Sequence, residues 1–230
     1  MKIVSNYRTF RSRYVVQKRR PEEYFFNKYY AHLIDPFFTK LVYDLRLKPN
    51  TVTIISGLLG VGSGISMMFQ QLILAGILLQ IHHIIDGADG NLARLTNQCT
   101  VFGAKLDAYT DRLVRAVVLI GIILATNEPM WIDGLLILTF VIDHLAVQIY
   151  ILPFIRKYGV IRSKWKQWFL TRGVIPSFDI FTIYFLISLF AIMNELDILI
   201  YLLIILKNLD WIYRVWECVK TSIIYRRKKL

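Results

Sequence analysis

The chain has 230 residues, of which 56% are hydrophobic, a mean hydropathy of +0.48 and a formal net charge of +12. A soluble domain of this length is rarely so apolar, and the basic residues fall in short runs between apolar stretches. The charge therefore reads as a membrane topology signal and not as a nucleic-acid footprint. The only cysteines, Cys99 and Cys218, have no metal-ligand spacing and give no disulfide framework.

Residues 1–20 carry seven Lys or Arg and no acid, as expected for a cytoplasmic tail or a contact with anionic headgroups, and they lack the apolar run of a cleavable signal peptide. Pro21-Glu22-Glu23 then predicts a helix start, with a body from Tyr24 to Leu45 that mixes aromatics with Lys28, His32, Asp35 and Lys40. That mixture suits a helix lying on the membrane surface, or an ordinary amphipathic packing helix, and Pro36 is expected to kink or break it.

Lys48-Pro49-Asn50-Thr51 opens the membrane part. Six apolar stretches of spanning length follow: Thr51–Phe69, Leu72–Leu95, Gly103–Thr126, Met130–Pro153, Ser177–Met193 and Leu196–Cys218. The connections alternate in sign. Arg94 to Lys105 and Arg156 to Arg172 are basic, Glu128 and Glu195 with Asp197 are acidic, and the end from Lys220 to Lys229 is basic, which places both termini in the cytoplasm. Gly57, Gly60, Gly62 and Gly64 in the first stretch follow no strand and precede no phosphate-loop lysine, so they read as a helix-packing surface.

The chemistry gathers between the second and third stretches. Asp86 and Asp89 stand at i, i+3, and Asp107 and Asp111 at i, i+4, so each pair shares a helix face. A short joint from Leu95 to Phe102 predicts two antiparallel neighbouring helices that bring all four acids to one point. Four close carboxylates repel strongly unless a hard cation lies among them, and oxygen-only ligands favour magnesium, manganese or calcium over zinc.

The full pattern is Asp-x2-Asp-Gly-x2-Ala-Arg-x8-Gly-x3-Asp-x3-Asp over Asp86 to Asp111. It resembles the signature of the CDP-alcohol phosphotransferase family at all eight fixed positions. The resemblance implies an all-α, six-helix integral membrane enzyme that moves a substituted phosphate from a CDP-linked donor to an alcohol and releases CMP. It implies Asp86, Asp89 and Asp107 as ligands of magnesium or manganese, with two ions per active site, and Asp111 as second-metal ligand and general base. Gly90, Ala93, Arg94, Gly103 and Asp107 are implied at the CDP moiety. A homodimer in a bacterial or archaeal cytoplasmic membrane, with the site facing the cytoplasm and no nucleic-acid partner, belongs to the same expectation.

On this basis the chain divides into a basic tail with a juxtamembrane amphipathic helix (1–48), a six-helix catalytic domain (49–218) and a basic tail (219–230). Phe102 to Arg112 is similar to the branch that uses inositol phosphate with CDP-diacylglycerol, and Asp86 to Asn91 also resembles synthases that use soluble CDP-inositol. The donor is thus expected to be CDP-diacylglycerol with a polar alcohol as acceptor, a polyol phosphate or polyol standing level with serine, glycerol phosphate and amino-alcohols together, or a soluble CDP-alcohol with a lipid or polyol acceptor. Arg112, Arg115 or the six basic residues from Arg156 to Arg172 could receive a substrate phosphate, although topology alone accounts for the loop run. His82 and His83 suit helix hydrogen bonding better than a metal, and Asp143-His144 suits either a cavity wall or a pair within the bundle. A cation transporter would also place acids in a membrane, but the four cluster acids lie at one edge and leave no polar path across.

Overall fold

A computed structural model describes residues 2–15 and 22–227. It is mostly helical. The elements are α1 (Lys2–Tyr14), β1 (Glu23–Tyr24), a π-helical turn (Asn27–Ala31) running into α2 (His32–Asp44), α3 (Pro49–Met68), α4 (Leu72–Leu95) and α5 (Val101–Ala125). They continue with α6 (Met130–Leu145), a second π-helical turn (Ala146–Ile151), α7 (Leu152–Tyr158), α8 (Lys164–Leu170), β2 (Val174–Ile175), α9 (Ile180–Ile192) and α10 (Leu196–Arg227).

Every expected apolar stretch forms a helix, but among the described residues three helical segments are long and apolar enough to cross a membrane: Pro49–Met68, Leu72–Leu95 and Met130–Tyr158. The third joins α6 to α7 through the π-helical turn, which precedes Pro153; a wider turn accommodates a residue that cannot donate to the helix. Helix α9 has 13 residues, about 20 Å at the helical rise and short of a bilayer core. Helices α5 and α10 are long enough but carry more charges. The outward side chains are nonetheless apolar, with Leu58, Ile73, Leu124, Trp131 and Ile149 each more than half exposed, as a lipid-facing surface requires.

Helix α3 sits between α4 and α5, packing closely on both, while α4 and α5 make few direct backbone approaches. The expected α4–α5 hairpin is therefore corrected: a third helix lies in the joint. Small residues make this possible. A Cβ on Gly60 would lie 2.6 Å from Val114 Cγ1, one on Gly64 would lie 2.6 Å from the Val117 carbonyl oxygen, and one on Gly121 would lie 2.5 Å from the Gly64 carbonyl oxygen. Gly57 meets Thr110 in the same seam, whereas Gly62 meets Leu78 at an ordinary 3.7 Å. On the far side α4 packs on α9, and α10 closes the bundle against α6 and α9. The main core joins Met67, Leu79, Val118, Ile122, Leu136 and Leu203 with their neighbours from these helices.

The N-terminal region departs from expectation. The first residues form α1, because Tyr7, Phe10 and Tyr14 share a face that packs on Phe37 and Tyr43 of α2. Pro21, the expected helix start, lies outside the described residues, as do 16–20; after it, Glu23–Tyr24 pairs in parallel with Val174–Ile175 instead of forming a helical turn. Pro36 does not break α2. It leaves the His32 carbonyl without its helical donor, and the Tyr7 hydroxyl donates to the His32 and Leu33 carbonyls at 3.1 Å each. At the other end, α10 runs through the expected boundary at 218, and residues 228–230 lie outside the described residues.

Replacing Gly64 by Val should cost about 3 kcal/mol or more through overpacking against rigid backbone, lowering the thermal unfolding midpoint in detergent by several degrees. Gly134→Ala, where a Cβ meets nothing within 4 Å, should leave it level or raised. Equal midpoints for the two variants would contradict the tight α3–α5 seam.

Candidate active site

The acids are placed by three helices. Asp86 and Asp89 come from the second half of α4 and Asp107 from the first half of α5, and one carboxylate oxygen from each lies within 4.8 Å of the others. Helix α3 supplies hydroxyls beneath them: Ser56 Oγ donates to Asp86 Oδ1 at 3.2 Å, and Thr53 Oγ1 donates to Asp89 Oδ2. Sequence reasoning missed both hydroxyls. Their spacing of three residues beside Gly57 and Gly60 marks one face of α3, but nothing local says that this face meets the acids.

Asp111 stands one turn further along α5 and outside this group of three. Its Oδ2 accepts from Arg115 Nη2 at 2.6 Å, an i, i+4 ion pair. Among the described residues, none of the ion pairs involves Asp86, Asp89 or Asp107. Three converging carboxylates, two of them held by neutral hydroxyl donors, form an oxygen-only set without a basic partner. Such a set fits a hard divalent cation.

Beside the acids lies a cleft of about 200 Å³ whose wall includes Asp89, Gly90, Ala93, Arg94, Gly103 and Asp107. Asn50, Thr53, Gln98 and Thr100 complete its polar lining. Arg94 Nη2 donates to Asn91 Oδ1 at 3.0 Å, and a Cβ on Gly90 would come within 3.3 Å of the same guanidinium. Gly103 has a structural reason of its own. Its N–H donates to the capping Thr100 hydroxyl at 2.9 Å, and a Cβ there would meet Asn50 Oδ1 at 2.9 Å. The cleft thus combines minimal side chains, one guanidinium and several neutral donors next to a site suited to cations, an arrangement able to take a phosphorylated ligand.

The remaining candidates separate. Arg112 is exposed over the Tyr109 ring, whereas Arg115 reaches both Asp111 and a second cavity of about 320 Å³. That cavity also carries Asp143, His144, Tyr184 and Lys207 on otherwise apolar walls. Asp143 both lines it and pairs with Lys207 at 2.9 Å. His82 Nδ1 lies 2.9 Å from Ser56 Oγ, so it supports the hydroxyl beneath Asp86; His83 is buried against Phe181. In the basic loop, Arg162 and Lys166 pair with the buried Glu217 of α10 at 3.1 and 2.7 Å.

A family profile described as CDP-alcohol phosphatidyltransferase matches residues 46–221. The chain is 32% identical to an archaetidylinositol phosphate synthase of Pyrococcus horikoshii over 182 residues, which is 79% of this chain and 88% of that protein. It is 44% identical over 69 residues to a bifunctional IPC transferase and DIPP synthase of Aquifex aeolicus, covering 30% of this chain and 16% of that longer protein. A phosphatidylinositol phosphate synthase of Corynebacterium glutamicum shares 35% identity over 82 residues, 35% of this chain and 37% of its own length.

Asp89→Asn and Asp107→Asn should each weaken manganese binding at least tenfold, about 1.4 kcal/mol, when titrated by electron paramagnetic resonance in detergent. Undiminished affinity in both variants would remove the three-carboxylate group as the cation site.

Proposed function

Because the chain belongs to the CDP-alcohol phosphatidyltransferase family, we propose that it transfers the phosphatidyl-type group of a CDP-linked lipid to the hydroxyl of inositol phosphate or a related polyol phosphate. The observation that carries this reading is the convergence of Asp86, Asp89 and Asp107 beside the Arg94 cleft. The acceptor class is supported by the archaetidylinositol phosphate synthase, which aligns over most of both chains.

In this reading the cytidine diphosphate end occupies the cleft against Gly90, Ala93 and Gly103, whose small side chains let it reach the backbone, and Arg94 faces its phosphates. Asp86, Asp89 and Asp107 would hold the divalent ions. A bound cation offsets the charge of the pyrophosphate and of the departing CMP. The hydroxyl oxygen of the acceptor forms a bond to the phosphorus that bears the lipid alcohol, the pyrophosphate P–O bond breaks, and CMP leaves with the electron pair. Asp111 takes the hydroxyl proton, and Arg115 orients its carboxylate for this. Ser56 and Thr53 keep Asp86 and Asp89 in fixed rotamers.

All six apolar stretches then belong to a membrane catalytic domain at 49–218, flanked by cytoplasmic regions at 1–48 and 219–230, in a bacterial or archaeal cytoplasmic membrane. The short α9 reaches across by packing inside the bundle; α5 keeps its charges at the cytoplasmic end, and α10 begins with Asp197 at the opposite end and pairs Lys207 with Asp143 inside the bundle. The stripe of Leu33, Phe37 and Leu41 on α2, each just over half exposed, lies in the headgroup layer. The enzyme acts as a homodimer.

A second reading keeps the chemistry but uses a soluble CDP-alcohol donor; it is favoured by the similarity to the bifunctional IPC transferase and DIPP synthase. Metal-dependent CMP release should occur with CDP-diacylglycerol or its ether analogue plus inositol phosphate, and stop with chelator. Release only with CDP-inositol would favour the second reading. No release and no CMP binding would defeat both. Asp111→Asn should reduce turnover at least a thousandfold while CMP affinity stays within about threefold. Normal turnover in that variant would remove Asp111 as the base.

A further inference from the structure

The family match begins at residue 46, yet the region before it is tied to both the acid-bearing helix and the basic loop. At the loop end, Glu23–Tyr24 pairs with Val174–Ile175, and the Glu23 N–H donates to the Gly173 carbonyl at 3.3 Å. Lys28 Nζ donates to the Arg172 and Gly173 carbonyls at 2.7 and 3.0 Å, holding the turn that ends the basic run. Gly173 has a φ of +71°, so that turn relies on a residue without a Cβ.

At the acid-bearing end, α2 lies along α4. Val42 of α2 shares a small core with Ala88 and Leu92 of α4 and Val52 of α3. Asp35 is 5% exposed, and its Oδ1 would lie 3.2 Å from a Cβ on Gly87, the residue between Asp86 and Ala88. The two ends meet at His32. Its Nδ1 is 3.1 Å from Asp35 Oδ2, and its Nε2 is 3.1 Å from Oε2 of Glu23, itself 8% exposed. One imidazole thus hydrogen-bonds a buried carboxylate of α2 and stands within ion-pair distance of another from β1. Lys28 and the Glu23 N–H thus both hold the Gly173 carbonyl, and from Glu23 the links pass through His32 to Asp35, which lies beside Gly87.

We propose that residues 22–44 form a strut that sets the basic segment 156–172 against the Asp86–Asp89 helix, with His32 as its central positioning residue. The segment is anchored on its other side by Glu217 of α10. Removing the strut leaves it tethered to α10 alone and free to shift relative to the acids. Cation and nucleotide contacts belong to α3, α4 and α5 and stay in place. A displacement of about 1 Å at a group that positions a substrate is enough to change the kinetics measurably.

The test uses the full chain in detergent, with His32→Ala and Lys28→Met. Trypsin cleavage after Arg156, Lys157, Arg162, Lys164 and Arg172, followed by mass spectrometry, should be at least fivefold faster in both variants, with the thermal midpoint close to that of the parent. This readout needs no turnover, so it stands apart from the phosphotransferase reading on which the kinetic arm rests. In that arm, KM for the polyol phosphate should rise at least fivefold while kcat and CMP affinity stay within twofold. His32→Gln, able to serve one of the two carboxylates, should fall between. Unchanged cleavage in both variants overturns the strut. So does a rise in cleavage at sites throughout the chain together with lost CMP binding, because that marks a general stability role. Should His32→Ala fail to fold, Lys28→Met, which removes only the half-buried cation holding the Arg172 and Gly173 carbonyls, decides the question.

Discussion

The close approach of α3 to α5 is the constraint on which the site depends. Where Gly60, Gly64 and Gly121 bring backbone and side-chain atoms within 2.5–2.7 Å of any added Cβ, α3 can lie in the fork between the two acid-bearing helices. With larger residues the helices would stand further apart, and Asp107 would be drawn away from Asp86 and Asp89. The same approach turns Thr53 and Ser56 toward the acids, so one packing surface supplies both the convergence and the hydroxyls that orient it. In a lipid environment, where apolar contact between helices gains little over contact with lipid, small-residue packing of this kind is the available means of holding backbones together.

The bundle confines its charge to few places and pairs it where it can. Asp143 with Lys207, Glu217 with Arg162 and Lys166, and Asp111 with Arg115 each balance an acid by a base. Each arrangement avoids leaving a lone charge in a low-dielectric setting. Asp86, Asp89 and Asp107 differ in that three acids converge while none of the described ion pairs includes any of them. Convergence of several acids without a basic partner is what suits such a point to a cation more than to a structural network.

Outside the family's common region, the N-terminal helices compensate one another's irregularities. Pro36 frees a carbonyl within α2, and Tyr7 of α1 occupies it while Phe10 covers Phe37. The docking of α1 thus depends on a residue that, taken alone, reads as a helix breaker. The two-residue parallel pair between β1 and β2 has little stability of its own. It holds because Lys28 and the Glu23–His32 contact flank it.

Much of the membrane architecture was legible locally. The bounds of α4 follow the apolar run from Leu72 to Leu95, the glycines of α3 already marked a packing face, and the spacing of Asp86, Asp89, Asp107 and Asp111 carried both the cation chemistry and the family. These features are set by helical periodicity and side-chain type, which neighbouring residues alone determine. Tertiary structure decided the rest. It interposed α3 between α4 and α5, paired Asp111 with Arg115 one turn beyond Asp107, and recruited Ser56 and Thr53. It also joined Glu23–Tyr24 to a segment some 150 residues away. These outcomes depend on which helix faces meet and on carbonyls and carboxylates finding partners far along the chain, and no pattern within a single segment encodes that choice.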